Sequence, residues 1–246
     1  MVPILELRSV RAGYGTIDVL RGLDLIVRPG EVHALLGPNG AGKSTMLAVC
    51  SGRIAPSAGQ ILLDGREVNG VTSDALARIG VCCIPEGRGV FPNLTVDENL
   101  RMFTHVGVSF AEMQSRAFAQ FPRLGERRRQ LAGTLSGGEQ QMLSMSRAFA
   151  TSPVLLLLDE LSMGLAPLIV EELYKIVARL AEQGVSILIV EQFAQAALGV
   201  ATTASIMLHG QIVHSGAPQE VARELSAMYM GTGEQPHPNQ RRSVQH

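Results

Sequence analysis

The sequence predicts an α/β fold: a mainly parallel sheet wrapped by helices, with an added antiparallel β layer and an inserted helical subdomain. Three observations carry that expectation. Short runs rich in strand-forming residues alternate with helical patterns, the arrangement that parallel strands and their crossover helices require. Gln60 to Val68 holds Asp64-Gly65 between apolar flanks, a hairpin signal that belongs to antiparallel pairing. From Asn99 to about Ala150 no segment reads as a strand, although helix signals recur there.

Taken in order, Ile4 to Arg8 alternates like an exposed edge strand, and Glu31 to Leu36 reads as a buried strand running into a glycine-rich loop. A helix is expected from Lys43 to Ser51, with Met46, Leu47 and Cys50 on its apolar side. Ile79 to Ile84, Val154 to Leu158, Val185 to Val190 and Ser205 to Leu208 supply further strands. Thr95-Val96-Asp97-Glu98 has the form of a capping box and opens a helix near Asn99 to Thr104. Pro167 suits the first position of a helix whose stripe is Ile169, Leu173, Ile176 and Leu180, with Glu171 and Lys175 paired one turn apart and Gly184 beyond its end. These elements suit a single domain over residues 1–230, with a core of about 1–88 and 151–230 and a helical subdomain of about 89–150. The stretch from Gly231 onward lacks apolar periodicity and is expected to be disordered.

Composition excludes several classes of function. The chain has 246 residues, room for one large domain or a core with an insert. Hydrophobic residues make up 46% against 17% charged, enough to bury a sizeable core. A net charge of −1 leaves no electrostatic footprint for nucleic acid, so no nucleic-acid partner is expected. No apolar run approaches the roughly 18 to 20 residues of a membrane helix. The opening Met1-Val2-Pro3-Ile4-Leu5-Glu6 lacks the basic and apolar regions of a signal peptide, so a cytoplasmic location is expected. Cys50, Cys82 and Cys83 have no metal-ligand spacing and read as small buried apolar residues. The six histidines are scattered and read as structural or surface residues.

The chemistry is concentrated in three motifs. Gly37-Pro38-Asn39-Gly40-Ala41-Gly42-Lys43-Ser44-Thr45 matches the phosphate-loop pattern G-x-x-x-x-G-K-[ST], between an expected strand and an expected helix. Its glycines let backbone amides turn inward around a β-phosphate, the helix N-terminus adds its positive dipole end, and Lys43 reaches the β/γ-phosphates as a point charge. Ser44 is the expected Mg²⁺ ligand from this loop. Leu155-Leu156-Leu157-Leu158-Asp159-Glu160 is an apolar strand ending in two carboxylates. Alone it is an ordinary solvated turn; beside the phosphate loop, Asp159 is expected in the Mg²⁺ shell and Glu160 as the group that polarises an attacking water. In Leu135-Ser136-Gly137-Gly138-Glu139-Gln140-Gln141, Ser136 and Glu139 form a second capping box, and two glycines leave the first-turn amides bare for an anion. A nucleotide already held by one phosphate loop has no obvious use for a second such helix tip. Residues 136–139 are therefore expected to reach the γ-phosphate bound by a partner subunit.

At these spacings the three motifs resemble the ATP-binding-cassette (ABC) transporter ATPases, and a closer likeness, to one importer subgroup, covers about residues 4 to 230. The resemblance implies a P-loop NTPase core, ATP and Mg²⁺ as cofactors, and a dimer in which the Ser-Gly-Gly segment closes the partner's ATP site. Tyr14 resembles the aromatic platform for adenine, although by sequence alone it could equally be a packed turn tyrosine. Ser162 to Ala166 resembles the loop that crosses the dimer interface. Pro85-Glu86-Gly87-Arg88, Phe91-Pro92, Leu94-Thr95-Val96, Phe121-Pro122-Arg123-Leu124 with Glu126-Arg127-Arg128, and Val190-Glu191-Gln192 are similar to one of the two ATPase subunits, the second, of the branched-chain amino-acid importers. That likeness implies a second ATPase subunit, identical or distinct, two membrane permeases, an external solute-binding protein reached indirectly, and a peripheral seat on the inner face of the cell membrane.

Three positions depart from the general family: Glu86 stands where Gln is usual, Gln192 where His is usual, and Leu161 where Pro follows the catalytic Glu. The importer subgroup shares the first two. Glu86 is then expected near the metal, and Gln192 beside the γ-phosphate, where its amide can donate a hydrogen bond but cannot become cationic. Leu161 is expected to make a less rigid turn that loosens the placement of Glu160 or of the interface loop. Arg127-Arg128-Arg129 reads as a solvated turn or, less simply, as a contact with permease or inner leaflet. Two other readings are a soluble cassette ATPase with no transport role and a nucleotide-binding module that does not hydrolyse. A single domain without heptads or basic surplus disfavours the first, and the presence of Lys43 and Glu160 disfavours the second.

Overall fold

A computed structural model describes residues 2–87, 89–104 and 107–229. Arg88 and the segment from Gly231, expected to be disordered, lie outside the described residues. The strands are β1 (Leu5–Tyr14), β2 (Ile17–Val27), β3 (Val32–Leu36), β4 (Ala58–Leu63), β5 (Arg66–Glu67), β6 (Val81–Ile84), β7 (Leu155–Asp159), β8 (Ser186–Glu191), β9 (Thr203–Leu208) and β10 (Gln211–Gly216). The helices are α1 (Lys43–Cys50), α2 (Ser73–Arg78), α3 (Val96–Arg101), α4 (Phe110–Gln120), α5 (Pro122–Glu126), α6 (Gly137–Thr151), α7 (Pro167–Glu182), α8 (Ala194–Val200) and α9 (Pro218–Tyr229).

A six-stranded sheet runs β10-β9-β3-β8-β7-β6, parallel except where β10 returns antiparallel to β9. A four-stranded antiparallel sheet runs β2-β1-β4-β5. The parallel strands read as unbroken apolar runs because both faces are covered. Leu156, Leu158, Ile187 and Ile189 face one buried cluster with α6 and α7, while Leu155, Leu157, Leu188 and Val190 face the other with α1 and the antiparallel sheet. That alternation fixes a three-layer body with the parallel sheet in the middle.

Two expectations need correction. β1 is not an edge strand: β2 pairs on one side of it and β4 on the other, so its exposed-looking alternation reflects one face turned from the core. The helix expected near Asn99 to Thr104 starts three residues earlier, because Thr95 itself is the N-cap, and it ends at Arg101. Both halves of that capping box are made, and so are both halves of the box at Ser136 and Glu139. Residues between β6 and β7 carry α3 to α6, with a single isolated bridge, Thr95 to Leu131, among those described. β6 and β7 are neighbours, Cys83 opposite Leu157, so the insert leaves and rejoins the sheet at adjoining strands.

At the start of β3 a buried polar thread crosses the sheet. Thr203 donates to Glu31, His33 meets Thr203 Oγ1 at 3.0 Å through Nδ1 and Ser205 Oγ at 2.9 Å through Nε2, and Ser205 meets Ser215 at 2.8 Å. Burial pushes the Glu31 carboxyl up, but the bonds from His33, Thr203 and the Arg28 amide outweigh it and hold the group down at about 2. Cys50 is buried while Cys82 and Cys83 are half-buried, and burial raises the first two thiols to about 12 and about 11, so they do not act as thiolates at neutral pH.

Candidate functional site

The site forms at the C-terminal ends of β3 and β7, where an open α/β sheet has its crevice. Residues 37–42 curl from β3 into α1. A Cβ on Gly37 would lie 2.3 Å from the Met207 carbonyl oxygen, so glycine alone lets the loop pass so near the end of β9. Gly42 caps α1 with φ 104, a left-handed conformation that turns the loop into the helix. Lys43 is 4% exposed, and its Nζ donates to the carbonyls of Gly37 at 2.8 Å and Pro38 at 3.1 Å. The ammonium also lies 3.6 Å from Glu160 Oε1. Its charge is thus held at the mouth of the loop, beside the bare first-turn amides of α1.

Ser44 Oγ donates to Asp159 Oδ1 at 3.4 Å, joining the helix start to the end of β7. Burial pushes the Asp159 carboxyl up to about 6; the Ser44 bond lowers it, and the charges of Glu160 and Glu86 raise it further. A neighbouring cation would relieve that strain. The donors are hard oxygens, the set Mg²⁺ takes, and among the described residues no three His, Cys, Asp or Glu side chains form a ready-made cage. The residues fit a magnesium ion held through Ser44 and Asp159 and completed by the phosphates of a nucleotide.

Glu160 sits at φ 45, the left-handed region that a residue other than glycine adopts at a cost of order 1–3 kcal/mol. Its amide donates to Val190 O at 2.9 Å. The turn behind it is not loose, as Leu161 in place of proline suggested. Leu161 is 1% exposed, and Ser162 donates to the Glu191 carboxylate through its amide at 2.9 Å and its hydroxyl at 3.0 Å. Tyr174, from α7, donates to the same carboxylate at 2.9 Å.

Lys43, Ser44, Asp159 and Glu160 are therefore brought together by direct contacts. Gln192 follows Glu191, the residue paired with Leu36, at the C-terminal end of β8, the strand that lies between β3 and β7. Glu86 is exposed on the loop after β6 and acts on Asp159 through its charge. Tyr14 ends β1 and is 56% exposed, open to solvent and not a packed turn residue. No hydrogen bond or ion pair among the described residues joins Ser136, Gly137, Gly138 or Glu139 to residues 37–45. The exposed Ser136 receives the Glu139 amide at 3.4 Å and donates to Glu139 Oε2 at 2.8 Å. Gly138 has a packing reason as well: a Cβ there would meet Ile169 Cγ2 at 2.9 Å.

Three contributors escaped the sequence reading. Arg127 pairs with Glu139 at 3.3 Å and Arg128 with Asp97 at 2.9 Å, so two members of the arginine run brace the insert. Glu191 appeared in the sequence as part of a Val-Glu-Gln resemblance, and its partners lie 29 and 17 residues away, beyond any local signal.

Residues 20–162 match the family model described as ABC transporter. A high-affinity branched-chain amino acid transport ATP-binding protein of Pseudomonas aeruginosa is 42% identical over 213 residues, covering 85% of this chain and 91% of that protein. A probable branched-chain amino acid transport ATP-binding protein of Archaeoglobus fulgidus is 34% identical, covering 87% and 93%. A ribose import ATP-binding protein of Geobacillus kaustophilus is also 34% identical, covering 85% of this chain but 44% of that longer protein. Among solved structures, the ADP conformation of an ATP-binding cassette of an ABC transporter superposes with a TM-score of 0.81 at 25% identity, covering 94% of this chain and all 100% of the other.

Proposed function

The chain belongs to the ABC transporter family as a nucleotide-binding ATPase subunit, and from that premise we propose that it powers uptake of branched-chain amino acids, or a related small solute, by closing an ATP sandwich with a second such subunit. The observation that carries the reading is the Lys43 ammonium, held by two loop carbonyls and 3.6 Å from Glu160, next to the Ser44–Asp159 pair. Around a bound triphosphate, Lys43 and the loop amides neutralise the β/γ-phosphates. Glu160 orients the attacking water, and Gln192 donates its amide to a γ-phosphate oxygen. When bound, Mg²⁺ supplies charge neutralisation at the phosphates, with Ser44 and Asp159 as its protein ligands and Glu86 close by. Tyr14 stacks on adenine, and Ser136, Gly137, Gly138 and Glu139 complete the partner's site. Ser136 and Glu139 bond to each other, and among the described residues no hydrogen bond or ion pair ties this second helix tip to residues 37–45 of the same chain, which supports the arrangement in trans.

Substrate class rests on the names of the two branched-chain relatives and on the run from Pro85 to Gln192 that resembles them. The ribose-import relative makes the solute a matter for transport assay. Among the described residues no helix is long and apolar enough to cross a membrane. Attachment to the inner face of the cell membrane therefore falls to two permeases, with an external binding protein delivering the solute. Changing Glu160→Gln should abolish steady-state ATP turnover and trap an ATP-bound dimer visible by light scattering after gel filtration. Unchanged turnover removes Glu160 from its role. Uptake of leucine by vesicles carrying the copurified permeases tests the substrate.

A further inference from the structure

We propose that Glu191 is a positioning residue: it fixes the direction of the Glu160 side chain by clamping the turn behind it. This rests on the reading of Glu160 as the water-orienting group. The Glu191 carboxylate is 1% exposed, and no ion pair to it exists among the described residues. A charge buried in this way is costly unless its lone pairs are engaged, and here three donors engage them. Two of the three belong to Ser162, the amide at 2.9 Å and the hydroxyl at 3.0 Å. The third is the Tyr174 hydroxyl at 2.9 Å, whose own proton is secured because burial, and then the Glu191 charge, push its acidity well away from neutral pH.

The placement of these bonds gives them their purpose. Glu160 donates its amide to Val190 and Ser162 donates to Glu191, so both ends of the tripeptide Glu160-Leu161-Ser162 are pinned to consecutive residues of β8. Between them Leu161 is buried in the core. The left-handed backbone at Glu160, φ 45, is a conformation that an untethered turn leaves readily. With the far end released, the side chain loses its fixed approach to Lys43, 3.6 Å away, and to whatever water lies beyond. Tyr174 ties the same carboxylate to α7, so the turn is fixed to a helix as well as to a strand.

The test compares single-turnover ATP cleavage with nucleotide affinity in the full chain. Glu191→Ala is expected to slow cleavage by about 10- to 100-fold, the scale of a misplacement near 1 Å, while ATP affinity stays within about twofold. Glu191→Gln keeps an acceptor for the Ser162 amide, and the two hydroxyls can rotate, so it is expected to restore the rate to within about threefold of the parent. In a Glu160→Gln background, Glu191→Ala should leave ATP affinity within about twofold and the trapped dimer intact, because the clamp acts on cleavage and not on binding. Should Glu191→Ala fail to fold, Ser162→Ala and Tyr174→Phe remove single donors and are each expected to slow cleavage severalfold without changing affinity. Parent-like cleavage in all these variants, failure of Glu191→Gln to rescue, or parallel loss of affinity and rate would each overturn the clamp. Parent-like turnover in Glu160→Gln alone would instead overturn the reading of Glu160, so the two failures are distinguishable.

Discussion

Gly37 and Gly199 are both glycines without a left-handed backbone, yet they answer to different physics. An added methyl at Gly37 would lie 2.3 Å from a backbone oxygen of β9, whereas at Gly199, on α8, nothing lies within 4 Å. Gly37→Ala is therefore expected to cost about 1–3 kcal/mol of stability and to weaken ATP binding as the loop is pushed from its seat. Gly199→Ala, a change in the last turn of α8, should stabilise by up to about 1 kcal/mol and leave nucleotide affinity alone. Chemical denaturation with ATP titration separates the two. At this scale the phosphate loop was legible in the sequence, because its spacing encodes a backbone curl and not a distant contact. Glu191 was illegible for the opposite reason: its importance arises where Ser162 and Tyr174 converge on it across the fold.

Helix caps make the comparable case for elements. Thr95 and Ser136 head α3 and α6 with the same two-way capping box, so each hydroxyl removed should cost about 1 kcal/mol in thermal unfolding. Their effects on catalysis should part company. Ser136→Ala is expected to lower ATP turnover at least tenfold beyond what its stability loss explains, and Thr95→Ala to leave turnover near that of the parent. Equal kinetic effects from both would reduce Ser136 to a structural cap. The elements legible in the sequence were those with a local signature: capped helices, and parallel strands such as β7 and β8 whose buried faces give continuous apolar runs. β2 was missed because Gly22, at φ 82, and register shifts against β1 break its alternation. Without β2 in view, β1 looked like an edge.

For the molecule as a whole, the thread from Glu31 to Ser215 predicts how the fold fails in acid. The Glu31 carboxyl titrates at about 2 in the fold against an ordinary 4.5, so its bonded, ionised form stabilises the protein in full above that ordinary value. The contribution drains away as pH falls from 4.5 toward 2. Glu31→Gln should lower the melting temperature at pH 7 and flatten the decline between those limits; an unaltered acid profile would show that other carboxylates govern it. A last consequence follows from where the helical insert is rooted. Its two ends meet the sheet on adjoining strands, so a tilt like a door on one jamb would leave the ladder between β6 and β7 intact and would slide α6 over α7, where Gly138 packs on Ile169. α6 has 15 residues and runs from Ser136 nearly to that jamb, a lever of about 22 Å. A swing of roughly 10° would carry its tip about 4 Å, more than the reach of a hydrogen bond, so in the proposed dimer a small rotation would make or break contact with the partner's phosphate.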